Sequence, residues 1–307
     1  MSKRTWALIA ATLVSIIYGV TFTIAKDVMP KYVAPFGFIS MRVGGSVLLF
    51  WLVSFFGPKE TIDKEDYPRI VAAAFFGVAF NMLTFFKGLS YTSPIMGAVL
   101  MVTTPMIVLI LSAFIMKERM QKRKVFGIVL GLAGTVTLIL YGKSMVNAPN
   151  ATLGNLLVFV NAISYGFYLI LVKKLMDKYN AFTFVKWIYT FGFLMVLPFG
   201  WSEFHAISWA IVPVDVLWKI GFVIVFSTFL TYLLNLISMR ELKPTTVAVF
   251  IYLQPLFATI FAVSLDKDEL TWVKLFSAVL IFAGVYLVTQ KGNFKGNRQK
   301  AKGRCGI

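Results

Sequence analysis

An all-α integral membrane protein, with ten transmembrane helices as two inverted five-helix repeats, is the fold this chain predicts. Three observations carry the prediction. Of 307 residues, 59% are hydrophobic and only 14% charged, with a mean hydropathy of +0.80. That is more apolar side chain than a soluble domain of this size can bury. The apolar residues fall in ten runs, each near the ~20 residues a helix needs to cross a hydrocarbon core about 30 Å thick. The chain also resembles itself: at an offset of 150, residues 94–138 align without gaps to 244–288, with 12 identities in 45 positions.

In chain order the runs are 6–25, 36–56, 70–86, 95–116, 125–141, 153–172, 182–200, 216–238, 246–265 and 272–289. The first follows "MSKR" as a secretory signal would. It is longer than a typical signal core and lacks a clear small-x-small cleavage site, so it reads as a retained span. The third, fifth and tenth runs are short, and the eighth is the least sharply bounded. Threading ten spans from a cytoplasmic amino terminus puts 21 of the 30 Lys and Arg residues on the cytoplasmic side and seven on the other. Arg42 and Lys186 then lie within spans. This is the positive-inside bias, and it predicts a multi-pass protein of the cytoplasmic (inner) membrane with both termini cytoplasmic. The net charge of +17 is therefore a matter of topology and lipid, with no nucleic acid as partner. Residues 291–307 read as a basic cytoplasmic tail.

The internal repeat is written in costly residues. Pro94/Pro244, Ala98/Ala248, Val99/Val249, Pro105/Pro255 and Gly134/Gly284 all coincide at the 150-residue offset. At an offset of 147, "YGVTFTIAKDVMPKYVA" (18–34) matches "YGFYLILVKKLMDKYNA" (165–181). The repeats are placed at 6–141 and 153–290. Five spans per copy is an odd number, so the second copy starts from the opposite side of the membrane, an arrangement typical of secondary transporters. Pro94 and Pro244 fall at helix starts, where proline costs little. Pro105 and Pro255 fall near the middle of spans 4 and 9, free the carbonyls of Met101 and Ile251, and are expected to act as conformational hinges.

Polar side chains inside spans are costly and face the bundle interior. Span 6 places Asn161, Ser164, Tyr165 and Tyr168 at i, i+3, i+4 and i+7, one face of a helix. Span 8 repeats that spacing with Thr228, Thr231, Tyr232 and Asn235, and span 1 gives a weaker version through Ser15, Tyr18, Gly19 and Phe22. Span 3 adds Asn81 and Thr84; spans 4 and 9 add Thr104 and Gln254, each just before its proline, with Met101 beside them. The expected substrate cavity is lined by Tyr18, Asn81, Thr84, Met101, Thr104, Asn161, Tyr165, Tyr168, Thr228, Tyr232, Asn235 and Gln254. Ser15 and Ser227 read instead as helix–helix glue. Arg42 sits about six residues inside span 2, where snorkelling to the interface, helix contact and substrate attraction are all open to it.

Tyrosine rings and amides suit a neutral or zwitterionic molecule with an apolar body. All thirteen acidic residues lie in loops or at span ends, so a buried carboxylate relay is not expected. One histidine, one cysteine and no phosphate-loop motif give no metal site, no cofactor and no enzyme class to argue for.

The segment "FFKGLSYTSPIMGAVLMVTTPMIVLILSAFIMKERMQKRKVFGIVLGLAGTVTLIL" resembles the third-to-fifth spans of an EamA domain, in the drug/metabolite transporter (DMT) superfamily. The likeness rests on "LSYTSP", the mid-span proline, "KER" and "GIVLGLAG", and recurs in the second half, where "LDKDEL" departs from the pattern. Arg42 in "SMRVGG" matches the family's second-span arginine. The resemblance implies ten helices, a central cavity and export of small metabolites, amino acids or drugs. The alternative substrates are nucleotide sugars or lipid-linked metabolites.

Overall fold

The computed structural model describes residues 2–57, 60–116, 122–141, 150–242, 247 and 250–289. Among them every regular element is helical. Seven stretches are long and apolar enough to cross a membrane: Lys3–Val28, Pro35–Ser54, Lys64–Tyr91, Pro94–Ile115, Ala151–Met176, Ala181–His205 and Val214–Glu241. Three more, Val125–Thr137, Phe250–Ser264 and Trp272–Gly284, are apolar but shorter. The chain is a multi-pass membrane protein.

The elements are α1 (Lys3–Val28), α2 (Pro35–Ser54), α3 (Tyr67–Ala74), α4 (Phe80–Tyr91), α5 (Pro94–Met101), α6 (Thr104–Met116) and α7 (Lys122–Tyr141) in the first half. The second half holds α8 (Ala151–Met176), α9 (Ala181–His205), α10 (Val214–Ile224), α11 (Thr231–Glu241), α12 (Gln254–Ser264) and α13 (Trp272–Thr289). Several helices overrun the apolar runs by a turn, because polar residues such as Lys173 and Lys174 in the last turn of α8 continue the helix towards water.

The proline at 94 behaves as expected. It opens α5, with the Ser93 hydroxyl accepting the Met96 N–H at 3.3 Å. Pro244 and the "KER" residues lie outside the described residues. Pro105 and Pro255 differ from simple mid-helix kinks. Each is the second residue of a new helix, α6 and α12, where the missing N–H is no loss. The breaks before them are tightened: Thr103 N–H reaches Leu100 O at 3.1 Å, and a 3₁₀ turn over Phe250–Leu253 precedes α12.

Packing runs between the halves. α1 lies against α11 and α12, α4 and α6 against α8, α2 along α9, α5 against α12 and α7 along α13. The α7–α13 crossing is bare backbone: a Cβ at Gly284 would meet Gly127 O and the Gly131 backbone at 2.5–2.8 Å. Both ends of the bundle are laced by charge. At one end Asp27 bridges Lys219 (3.0 Å) and Lys267 (2.8 Å), and buried Lys274 pairs with Asp268 at 2.6 Å. At the other, Lys178 meets Asp63 and Asp66 at 2.6 and 2.5 Å, bonds that hold its ammonium pKa above the ordinary lysine value.

Candidate functional site

Two helices lose their α-helical register in mid-span, 150 residues apart. Phe75–Ala79, between α3 and α4, and Val225–Leu230, between α10 and α11, are π-helical turns. A π-turn disturbs the i→i−4 ladder and leaves carbonyls for other donors. Each turn is closed by side chains of the other half. Ser164 donates to Phe76 O at 2.7 Å and Tyr232 to Gly77 O at 2.6 Å. Reciprocally, Arg42 Nη2 donates to Ser227 O at 3.0 Å and Ser46 to Ile224 O at 3.3 Å, while Arg42 Nε donates to the Thr228 hydroxyl. Thr228 in turn donates to Val223 O at 2.7 Å. The Tyr168 ring packs against Gly77, where any Cβ would collide with it.

Between these turns is a cavity of about 70 Å³, smaller than the roughly 300–1,000 Å³ of open small-molecule sites, so it has to widen to take a ligand. Seven of the expected residues line it: Tyr18, Asn81, Met101, Asn161, Tyr165, Tyr232 and Gln254. Both halves contribute. Asn81 and Asn161 clasp each other across α4 and α8: Asn161 Nδ2 donates to Asn81 O at 2.7 Å, and Asn81 Nδ2 to Asn161 O at 3.4 Å. That arrangement fixes the Asn161 amide and leaves its buried Oδ1 without a partner among the described residues. A smaller cavity shares Tyr18, Tyr165, Ile251 and Gln254 and adds Asn235, whose amide donates to the Tyr165 hydroxyl at 3.2 Å.

The remaining four expected residues are near the cavity without lining it. Thr84 back-bonds to Phe80 O at 2.7 Å on its own helix. Thr104 is fully buried, with its hydroxyl unpartnered among the described residues. Tyr168 stacks on Tyr165 at 5.7 Å and serves the packing on Gly77. Thr228 holds Arg42. Ser227, expected as glue, is at the wall, and so are Thr21, Phe22, Phe85 and Phe86, which give the cavity an apolar side. Arg42 does not snorkel: it is 5% exposed and reaches the wall with its guanidinium carbon 4.7 Å from the Phe86 ring centre.

The EamA-like transporter family matches residues 5–140 and, a second time, residues 152–290. The chain belongs to this family. As a member of the DMT superfamily it is a transporter, and its relatives carry that name. The uncharacterized transporter YetK of Bacillus subtilis (strain 168) is 25% identical, over 81% of this chain and 76% of the relative. An uncharacterized transporter of Archaeoglobus fulgidus is 26% identical, over 94% of this chain and 99% of its own. One solved crystal structure matches 93% of this EamA chain and 98% of its own at a TM-score of 0.64 and 17% identity, a likeness of fold.

Proposed function

We propose that this EamA protein is a secondary transporter that exports small neutral or zwitterionic metabolites, amino acids or amphipathic drug-like compounds, by alternating access. The observation that carries the reading is the cavity between the two mid-span π-turns, lined by tyrosines and amides from both halves and by phenylalanines on one side. A site shared between halves is what a rocking mechanism needs, because rocking exposes it to each side in turn. The helix pairing supports two inverted five-helix repeats at 6–141 and 153–290. Exchanging the spans of one half for those of the other turns the α1–α11 contact into α8–α4 and the α6–α8 contact into α12–α1, both of which exist. The charge split supports ten spans with both termini on the cytoplasmic side of the inner membrane. Among the described residues the wall carries a single cation, which favours these substrates over nucleotide sugars, whose diphosphate calls for several.

Counterflow of labelled amino acids, nucleosides, sugars and nucleotide sugars into liposomes holding the purified protein tests the reading. Uptake of at least one amino acid, lost in Tyr165→Ala, is expected. Uptake limited to nucleotide sugars, or unaffected by Tyr165→Ala, refutes it.

A further inference from the structure

Among the described residues, nothing neutralises the charge of Arg42. Among the described residues the cavity wall holds this one cation and neither Asp nor Glu, and no described ion pair includes Arg42. A guanidinium has five N–H donors. Here Nε serves Thr228 and one Nη2 hydrogen serves Ser227 O, and no described bond uses Nη1. The Phe86 ring at 4.7 Å attracts the cation through its face without supplying a negative charge. A buried cation at mid-span with a free edge on a cavity is costly until an anion reaches it.

The geometry points to Arg42 as the anion-binding residue of the transport site, taking the carboxylate of a substrate whose apolar body lies on Phe22, Phe85 and Phe86. This rests on the reading that the cavity is the transport site. A planar carboxylate can meet the Nη1–Nη2 edge with two parallel bonds. One carboxylate also cancels one guanidinium. A phosphate monoester, with about −1.5 to −2 charges at pH 7, would leave excess negative charge inside the bilayer with no second cation at the wall among the described residues. The π-turn is part of this device: its Ser227 carbonyl and Thr228 hydroxyl hold the guanidinium inward and stop it reaching the interface.

The test uses the full-length protein in detergent and three probes of similar shape: 3-phenylpropanoate, 3-phenylpropanamide and benzyl phosphate. Thermal stabilisation against concentration gives a half-saturating value for each. Wild type is expected to take the carboxylate at a concentration at least tenfold below those for the amide and the phosphate. Arg42→Gln should abolish that advantage, and Arg42→Lys should keep part of it. Equal affinity for acid and amide in wild type, preference for the phosphate, a carboxylate advantage surviving Arg42→Gln, or no stabilisation by any probe overturns the assignment. The wild-type comparison stands even if Arg42→Gln does not fold. Tyr165→Ala separates the two readings. If it weakens acid and amide alike while wild type shows no carboxylate advantage, the cavity remains and Arg42 loses its role. If it weakens neither, the site is not this cavity.

Discussion

The two π-turns are the same backbone device with different clasps. At Phe75–Ala79 the freed carbonyls are met by neutral hydroxyls, Ser164 and Tyr232. At Val225–Leu230 they are met by Ser46 and by a cation, Arg42. The position 147 residues after Arg42 is Tyr189, a buried ring 4.9 Å from Tyr232. Duplication thus kept the irregular backbone in both copies while the side chains diverged, so one flank of the cavity is charged and the other is not. A symmetric scaffold can hold an asymmetric substrate in this way.

The sharpest way to break the comparison is to exchange the residues at its centre. Gly77 and Ser227 are 150 residues apart, and Gly77 lies against the Tyr168 ring. Gly77→Ser should therefore destabilise by about 2–3 kcal/mol through overpacking against Tyr168, read as a lower melting temperature in detergent. Ser227→Ala should change stability by less than about 0.5 kcal/mol, since the Ser227 hydroxyl has no described partner. Equal effects would dissolve the distinction. Next in size, Tyr232→Phe removes the donor to Gly77 O and should cost about 1–2 kcal/mol, with Ser164→Ala near 1 kcal/mol, in the same melting assay. Pro105→Ala and Pro255→Ala act on the helix breaks beside the cavity. Both should insert and melt normally but transport several-fold more slowly, because a restored N–H favours a continuous helix; wild-type rates in both would mean the breaks are merely tolerated. Smallest of all, Val129→Ala on the exposed face of α7 should leave binding and melting within error.

The membrane-spanning helices were legible because hydrocarbon forces apolar runs of fixed length, a constraint no tertiary contact relaxes. The polar stripes of spans 6 and 8 were legible for the complementary reason, and Asn161, Tyr165 and Tyr232 do reach the cavity. Stripe logic misjudged Thr84, since a threonine inside a helix can bond its own backbone. It also misjudged Tyr168, whose face of α8 meets Gly77 before it meets the cavity. The π-turns left no trace in composition: "FFGVAF" and "VFSTFL" share only Phe76/Phe226. The inward turn of Arg42 depends on those turns, so it too was hidden.

The crossing of α7 and α13 has a mechanical consequence. No side chain stands between Gly284 and the Gly127–Gly131 backbone, and dispersion contacts that close lose about a quarter to a half of their energy on a separation of up to an ångström. If the two halves shift against each other, they should swivel at this point without parting there. The crossing would then be a pivot pin, and displacement would grow with distance from it, towards the charged latches formed by Asp27 and Lys178 at opposite ends of the bundle.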